Sequence, residues 1–371
     1  MIPTPKDMFE AWLAEPLGRE CEDPRFDVRR ARPEEFERIW DVVDAAFGTQ
    51  RPRAAYEWMY RANPTGLARC WILEERASGR ILKTGAEYPW PIWYGDRVER
   101  GLLAGDAATL PEWQRKGLSA LRRTVRRSHP WYPTFCTIAG PNEGSRVVSA
   151  KAGDADSLTG DLPGGVAVLR ASGVLERVGA PGPVAAVLGA LADPLLGAQR
   201  ALGLRRARRA PGRIESVHRF DTAYDEVTLR TMSWPKYWCP HNADFLNWRY
   251  LDHPLERYEA IALVEDERPV GYAVLRIAGR EAGLAEFAAE ASPSPRAARL
   301  LAGVFERVRE AGCAHLSFFS TNVWRHWPLF RRAGFLPYRT RNHLEATHRE
   351  AGAVAQDMRA WQITPGDRDY H

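Results

Sequence analysis

Lysine is scarce in this chain. Of its 52 basic side chains only Lys6, Lys83, Lys116, Lys151 and Lys236 are lysine, and the rest are arginine. With abundant Ala and Gly, that bias fits a GC-rich coding sequence, so a net charge of +5 is slender support for an anionic partner such as phosphate, nucleotide or RNA. Long apolar runs are also absent. The longest, from Pro183 to Ala192, stops at Asp193-Pro194, well short of a membrane span. The opening Met1-Ile-Pro-Thr-Pro-Lys6 lacks the basic-then-apolar order of a secretory signal, so a cytoplasmic protein without a membrane association is expected. Five dispersed cysteines form no C-x-x-C pair, which argues against a disulfide scaffold and against a thiolate metal site. Nine histidines show no H-E-x-x-H spacing or similar ligand set, and no metal is expected.

What is present is enough for a core. Apolar residues make up 45% of the 371 positions and charged residues 27%, close to a soluble globular average. The length suits two domains. After an extension at 1–24, Phe26–Arg30 reads as a strand. Glu34–Phe47 then carries Phe36, Ile39, Trp40, Val43 and Phe47 at helical spacing. Two apolar runs, 69–74 and 80–87, flank Ala77-Ser-Gly79 as a hairpin. Gly101–Leu110 is a further strand, 116–127 a helix, 134–139 a strand, 142–152 a helix, and Gly165–Leu169 a closing strand. Strands alternating with helices imply a mixed sheet with helices packed on it.

Residues 173–213 are rich in Ala, Leu, Gly and Pro and read as a helical linker. It ends in an RRARR run open to RNA or acidic lipid, or simply to solvent. The remainder, 214–371, echoes the first part. Trp58, Tyr60 and Pro64 recur 190 positions later as Trp248, Tyr250 and Pro254. Asn142 before Ala152-Gly153 is matched by Asn322 before Ala333-Gly334, about 181 positions on. Duplication of one α/β unit is the economical reading. The repeated Trp-x-Tyr is expected to anchor packing and is given no chemistry. Aromatic clusters at Tyr88–Tyr94 and 233–240 serve either core packing or an acceptor pocket.

The segment with chemical content is Gly105-Asp-Ala-Ala-Thr-Leu-Pro-Glu-Trp-Gln-Arg-Lys-Gly-Leu-Ser119. A strand runs to Leu110, and Pro111 interrupts pairing because it cannot donate. The loop Gln114–Gly117 then opens a helix. Glycine allows close backbone approach, and a helix start offers unpaired N–H groups and partial positive charge, which together suit a diphosphate. Arg115 and Lys116 add formal charge at the lip. Neither a P-loop nor G-x-G-x-x-G is present.

This segment resembles the GCN5-related N-acetyltransferase (GNAT) family, whose Q/R-x-x-G-x-G/A stands between a central strand and its helix. Here it is Gln114-x-x-Gly117-x-Ser119, with Ser119 a departure that either bonds a phosphate oxygen or crowds it. The resemblance covers about 25–170 and implies an α/β (α+β) fold of two tandem GNAT-like domains, 25–172 and 214–371. Each would be a mixed, mostly antiparallel sheet flanked by helices. It implies acetyl-CoA or another acyl-CoA as co-substrate, with the diphosphate on the amides of Gln114, Arg115, Lys116, Gly117, Leu118 and Ser119. The pantetheine arm would run along Ala108, Thr109 and Leu110. Asn142, matching the family's later Asn, would bind the cofactor while opening the next helix, a role that coexists with a plain helix N-cap. In the second domain the corresponding place, Glu290–Arg296, lacks the motif and has two prolines, so that domain is read as having lost the cofactor.

The implied reaction is direct acyl transfer from thioester to the amine of a small molecule, with a base taking the ammonium proton. Asp106 and Glu87 are the carboxylate candidates. Many family members place a tyrosine acid four residues before the helix-ending glycine. Ser149 stands there, so the usual acid is missing or comes from elsewhere. Two alternatives remain open. One is a FemABX-like transferase using aminoacyl-tRNA, suggested by basic Arg122, Arg123, Arg126 and Arg127. The other is a silent module that binds acyl-CoA.

Overall fold

The computed structural model describes residues 21–95, 97–128, 136–141, 157–177, 179–232, 235–321, 323–348 and 357–368. These residues form two compact units. The first takes residues up to 160 with 343–348, 357 and 368, and the second takes 161–342 with 358–367.

The first unit begins with β1 (Phe26–Arg30), then a short 3-10 turn and α1 (Phe36–Phe47). Phe36, Ile39, Trp40 and Val43 lie on one buried stripe of α1, and Gly48 ends it in the left-handed conformation at φ 64°. Next come α2 (Arg53–Tyr60), β2 (Arg69–Glu75) and β3 (Arg80–Pro89), joined through a turn with Gly79 at φ 65°. A small hairpin, β4 (Ile92–Tyr94) and β5 (Arg97–Glu99), precedes β6 (Gly101–Gly105), α3 (Leu118–Ser128) and β7 (Cys136–Ala139). The sheet order is β1-β2-β3-β6-β7, and the final part of a late strand, Glu345–His348, completes it beside β7. Among its described residues only β6 and β7 run parallel. Trp71, Ile72, Leu82, Leu102, Leu103 and Ile138 are fully enclosed or nearly so.

The second unit has β8 (Ser157–Val168) from residue 161 onward, α4 (Ala171–Arg177), α5 (Gly182–Gly203), β9 (Arg213–Val217), α6 (Thr222–Met232) and β10 (Tyr237–Trp238). It continues with α7 (Ala243–Leu246), a π-helical turn (Asn247–Leu251), β11 (Tyr258–Glu265), β12 (Arg268–Ala278), β13 (Glu281–Ala288) and α8 (Pro295–Glu310). The last elements are β14 (His315–Phe319), α9 (Val323–Arg332), β15 (Phe335–His348) and β16 (Trp361–Gln362). The sheet order from its far edge is β9-β11-β12-β13-β14-β8, followed by the early part of β15. β13 and β14 run parallel. Leu263, Leu275, Leu300, Val304, Leu316 and Phe335 lie in its core.

Of the order expected for 25–170, the strands at 26–30, 69–75, 80–89, 101–105 and 136–139 and the helices at 36–47 and 118–128 are present. The helix expected at 142–152 lies outside the described residues. The α/β class and helices within 173–213 are present too. Two segments depart from the linear boundaries. Gly165–Leu169 was expected to close the first domain. Instead Gly164–Val168 pairs antiparallel with Phe319–His315 inside the second unit, and Thr340 Oγ1 donates to Leu162 O at 2.5 Å. Residues 343–348, expected in the second domain, belong to the first unit, where Glu345–His348 pair with β7. Backbone pairing partners far apart in the chain decide these memberships, and neither local periodicity nor composition encodes them. Among the described residues no helix is long and apolar enough to cross a membrane.

One buried group of the second unit sets an acid limit. His326 of α9 is 2% exposed and packs against Phe287 and Phe330. Burial, followed by the charge of Arg325, pushes its pKa down to about 3. Above the unfolded value near 6.5 both states are neutral there. Below it only the unfolded chain gains the proton, so stability falls between about pH 6.5 and 3, by about 4–5 kcal/mol. His326→Phe should flatten that part of the acid limb in urea melts taken at successive pH values. An unchanged limb would refute the assignment.

Candidate functional site

The strand β6 is regular only to Gly105. Ala86 pairs with Gly105, whereas the next bridge joins Lys83 to Thr109, so one extra residue is accommodated on the β6 side. The bulge centres on Asp106, whose φ is +45°. Beyond it Ala108 N–H donates to Thr84 O at 3.2 Å and Leu110 N–H to Leu82 O at 2.9 Å. On the other side β7 follows only to Ala104↔Ala139 among the described residues. The N–H groups of Ala107 and Thr109 therefore face away from β3 and find no acceptor among the described residues.

The loop after Leu110 turns on two left-handed residues, Arg115 at φ +61° and Gly117 at φ +80°. A side chain tolerates that conformation at a cost of about 1 kcal/mol, so its use at Arg115 marks a shape imposed by the surroundings. Gln114 Nε2 donates to Thr109 O at 3.2 Å, tying the loop to the strand, and Arg80 pairs with Glu112 at 2.6 Å. Lys116 Nζ stands 4.7 Å from the Trp113 ring centroid, and that ring meets Phe26 edge-on. Helix α3 starts at Leu118, with Ala120 N–H donating to Gly117 O at 2.9 Å. The N–H groups of Arg115, Lys116, Gly117, Leu118 and Ser119 have no acceptor among the described residues. A Cβ built on Gly117 meets nothing within 4 Å, so the turn opens outward. Consecutive free amides on a left-handed turn at a helix start form a concave anion nest.

Asp106 is buried and fully engaged. Arg51 donates to both carboxylate oxygens at 3.2 and 3.1 Å, and the hydroxyls of Tyr60 and Tyr88 donate to Oδ2 at 3.0 and 2.9 Å. Burial, then the charge of Asp106, raises both tyrosine pKa values well above the usual range, so both hydroxyls remain donors. Burial works against the Arg51 charge, but Asp106 outweighs it and the guanidinium is held charged. Glu87 is equally enclosed, with Arg69 Nε and a terminal nitrogen on its Oε2 at 3.1 and 2.6 Å. A cleft of about 500 Å³ between α1 and α2 is lined by Asp41, Asp44, Thr49, Gln50 and Arg51. Arg51 thus reaches from its wall to the bulge.

Ala108, Thr109, Leu110 and Gln114–Ser119 are brought together as one edge and turn. Asp106 and Glu87 lie inward of that edge, each on an arginine. Ser149 and Asn142 lie outside the described residues. Arg122 differs from expectation. Instead of joining a basic outer face, its guanidinium packs over β3, where a Cβ on Gly85 would come within 2.5 Å of it. Gly85 leaves that space, so the arginine turns inward. The side chains of Arg123, Arg126 and Arg127 lie outside the described part. Of the two aromatic clusters, Tyr88, Trp90, Tyr237 and Trp238 are buried, which favours packing.

Sequence reasoning passed over Arg51, Tyr60 and Tyr88, and also buried Lys83, whose Nζ donates to Thr109 Oγ1 at 2.8 Å. One signal was available. Tyr60 and Tyr250 are the repeated tyrosines, and the second unit uses Tyr250 in the same way, donating to Glu286 at 2.5 Å. Glu286 stands two residues past the last parallel pair of β13, Leu284↔Phe318, as Asp106 does past Ala104↔Ala139. In the second unit, however, the α8 start is filled by its own side chains. Ser294 caps Ala297 N–H, and Arg296 bridges Glu265 and Glu290.

No family model and no curated protein matches the chain. Solved structures do. A GCN5-related N-acetyltransferase from Anabaena variabilis aligns with TM-score 0.59 at 10% identity, over 87% of this chain and 72% of that one. A protein from Enterococcus faecalis described as a probable N-acyltransferase aligns with TM-score 0.58 at 13% identity, over 86% and 71%. A GCN5-related N-acetyltransferase from Kribbella flavida gives 0.53 at 15%, over 87% and 71%. At such identities the likeness is one of fold alone, a fold shared with these GCN5-related N-acetyltransferases of known structure.

Proposed function

We propose that the first unit is an acyl-CoA-dependent N-acyltransferase acting on the amine of a small molecule, and that the two units descend from one duplicated GNAT-like domain. The observation that carries this reading is the run of acceptor-free amides at Arg115–Ser119, next to a strand edge freed by the Asp106 bulge. The diphosphate sits on the Lys116–Ser119 amides, and Arg115 and Lys116 add charge. The pantetheine arm lies along Ala108–Leu110 in place of a sheet neighbour, using the outward N–H groups. The acceptor enters by the cleft at Asp41, Asp44, Gln50, Arg51 and Arg53, where Asp41 is paired with Arg53 and Asp44 accepts from the Tyr56 hydroxyl.

The amine must be neutral to attack, so a water relayed to a carboxylate takes its proton. A free N–H of Ala107 or Thr109 donates to the thioester oxygen as negative charge develops. The C–S bond breaks, and the leaving thiolate takes a proton from a weak acid. Asp106 and Glu87 serve in this reading as anchors of the strand, because their oxygens are already occupied by arginine and tyrosine donors. The inward turn of Arg122 removes one residue on which transfer from aminoacyl-tRNA depended.

A thermal-shift panel tests the proposal. Coenzyme A and acyl-CoAs at about 100 times Kd should add about 2.7 kcal/mol and raise the midpoint by roughly 5–10 °C. A shift only with charged tRNA would support the FemABX-like reading. A shift without turnover over a broad amine panel would support a binding module.

A further inference from the structure

The second unit repeats the buried cation, tyrosine and carboxylate of the first, with a change of chemistry. Arg51 and Tyr60 correspond at 190 positions to His241 and Tyr250, and Thr49 to Cys239. The permanent guanidinium is replaced by an imidazole, with a thiol two residues before it. Parallel pairing of β16 with β10 then brings in the turn that carries Asp367. Cys239, His241 and Asp367 are 3%, 0% and 0% exposed, and one donor atom of each lies within 4.8 Å of the others. His241 Nε2 is 3.0 Å from Asp367 Oδ1.

A tetrahedral ion with arms of about 2.0–2.3 Å separates its ligand atoms by roughly 3.3–3.6 Å, so shifts of about 1 Å close this set. A second observation points the same way. The far side of the imidazole, Nδ1, lies 3.1 Å from Glu286 Oε1. That oxygen is fixed by Tyr250 and Thr364 hydroxyls at 2.5 and 2.6 Å. Yet among the described residues Nδ1 makes no well-aligned hydrogen bond and buried Glu286 Oε2 has no partner. A metal-bound histidine commonly gives its other N–H to a carboxylate, which fixes the tautomer that leaves Nε2 free for the metal.

We propose that Cys239 Sγ, His241 Nε2 and Asp367 Oδ1 bind a divalent transition-metal ion, with Glu286 orienting the imidazole. One thiolate, one imidazole and one carboxylate select zinc over magnesium or calcium. The ion pins the C-terminal turn to the segment after β10. Spacing rules overlooked this site because Asp367 stands 126 residues from His241.

The full-length protein, stripped with a chelator, is titrated with cobalt(II) as an optical stand-in. The expected result is one equivalent bound, a near-ultraviolet thiolate-to-cobalt charge-transfer band, and displacement by zinc. Cys239→Ser should abolish the band, whereas Cys21→Ser, at the half-exposed cysteine, should keep it. Should Cys239→Ser not fold, Asp367→Asn should weaken cobalt at least tenfold. No stoichiometric band, a band that survives Cys239→Ser, or unchanged affinity in Asp367→Asn would overturn the proposal. Failure here leaves the acyl-transfer reading of the first unit untouched.

Discussion

Gly117→Glu should abolish the coenzyme A thermal shift and reduce acyl transfer by at least 100-fold, with the fold retained. The turn is outward and unobstructed, so the new side chain meets no protein atom near its Cβ. Two costs arise. The first is conformational, since φ +80° disfavours any residue with a Cβ by about 1–2 kcal/mol. The second falls on the ligand. A carboxylate about 4 Å from a diphosphate charge, at the effective dielectric of a protein surface, opposes binding by about 4 kcal/mol, or nearly three decades. Gly117→Ala separates the two. It bears the conformational cost alone and should lose only about tenfold. Equal losses in both variants would point to a misshapen turn, and no loss in either would remove the nest from the site.

Asp106→Asn should cost the first unit about 3–5 kcal/mol of unfolding free energy while leaving kcat per folded molecule within tenfold. Removing one partner of a buried pair strands the other charge, and here the stranded group is the Arg51 fork. Pairing Asp106→Asn with Arg51→Met should recover part of the loss, which a double-mutant cycle reads directly. Glu87→Gln should behave likewise through Arg69. If either single variant unfolded normally in urea but lost three decades in kcat, that carboxylate would be the base and the anchoring role would fail.

These two variants probe features that differ in how far local sequence reveals them. The turn was readable because everything that makes it is contiguous: a strand, a proline, a glycine and a helix start within Gly105–Ser119. The α1 stripe and the 69–89 hairpin were readable for the same reason. The Asp106 constellation was not, because Arg51, Tyr60 and Tyr88 reach it across 55, 46 and 18 positions. The repeat of Trp-x-Tyr flagged the tyrosines as core residues, which they are, but not their hydroxyl partners. Arg122 was misread because a helical arginine is polar by type. Only the missing side chain at Gly85 shows that it packs inward. The exchange of β8 and the end of β15 between units depends on strand register over long separations, which patterning constrains least.

The most direct measurement is a crystal structure of the protein with acyl-CoA. The account predicts diphosphate oxygens within about 3 Å of the amide nitrogens of Lys116–Ser119, and the pantetheine chain beside Ala108–Leu110. A nucleotide lodged elsewhere, with that turn making no contact to it, would contradict the account.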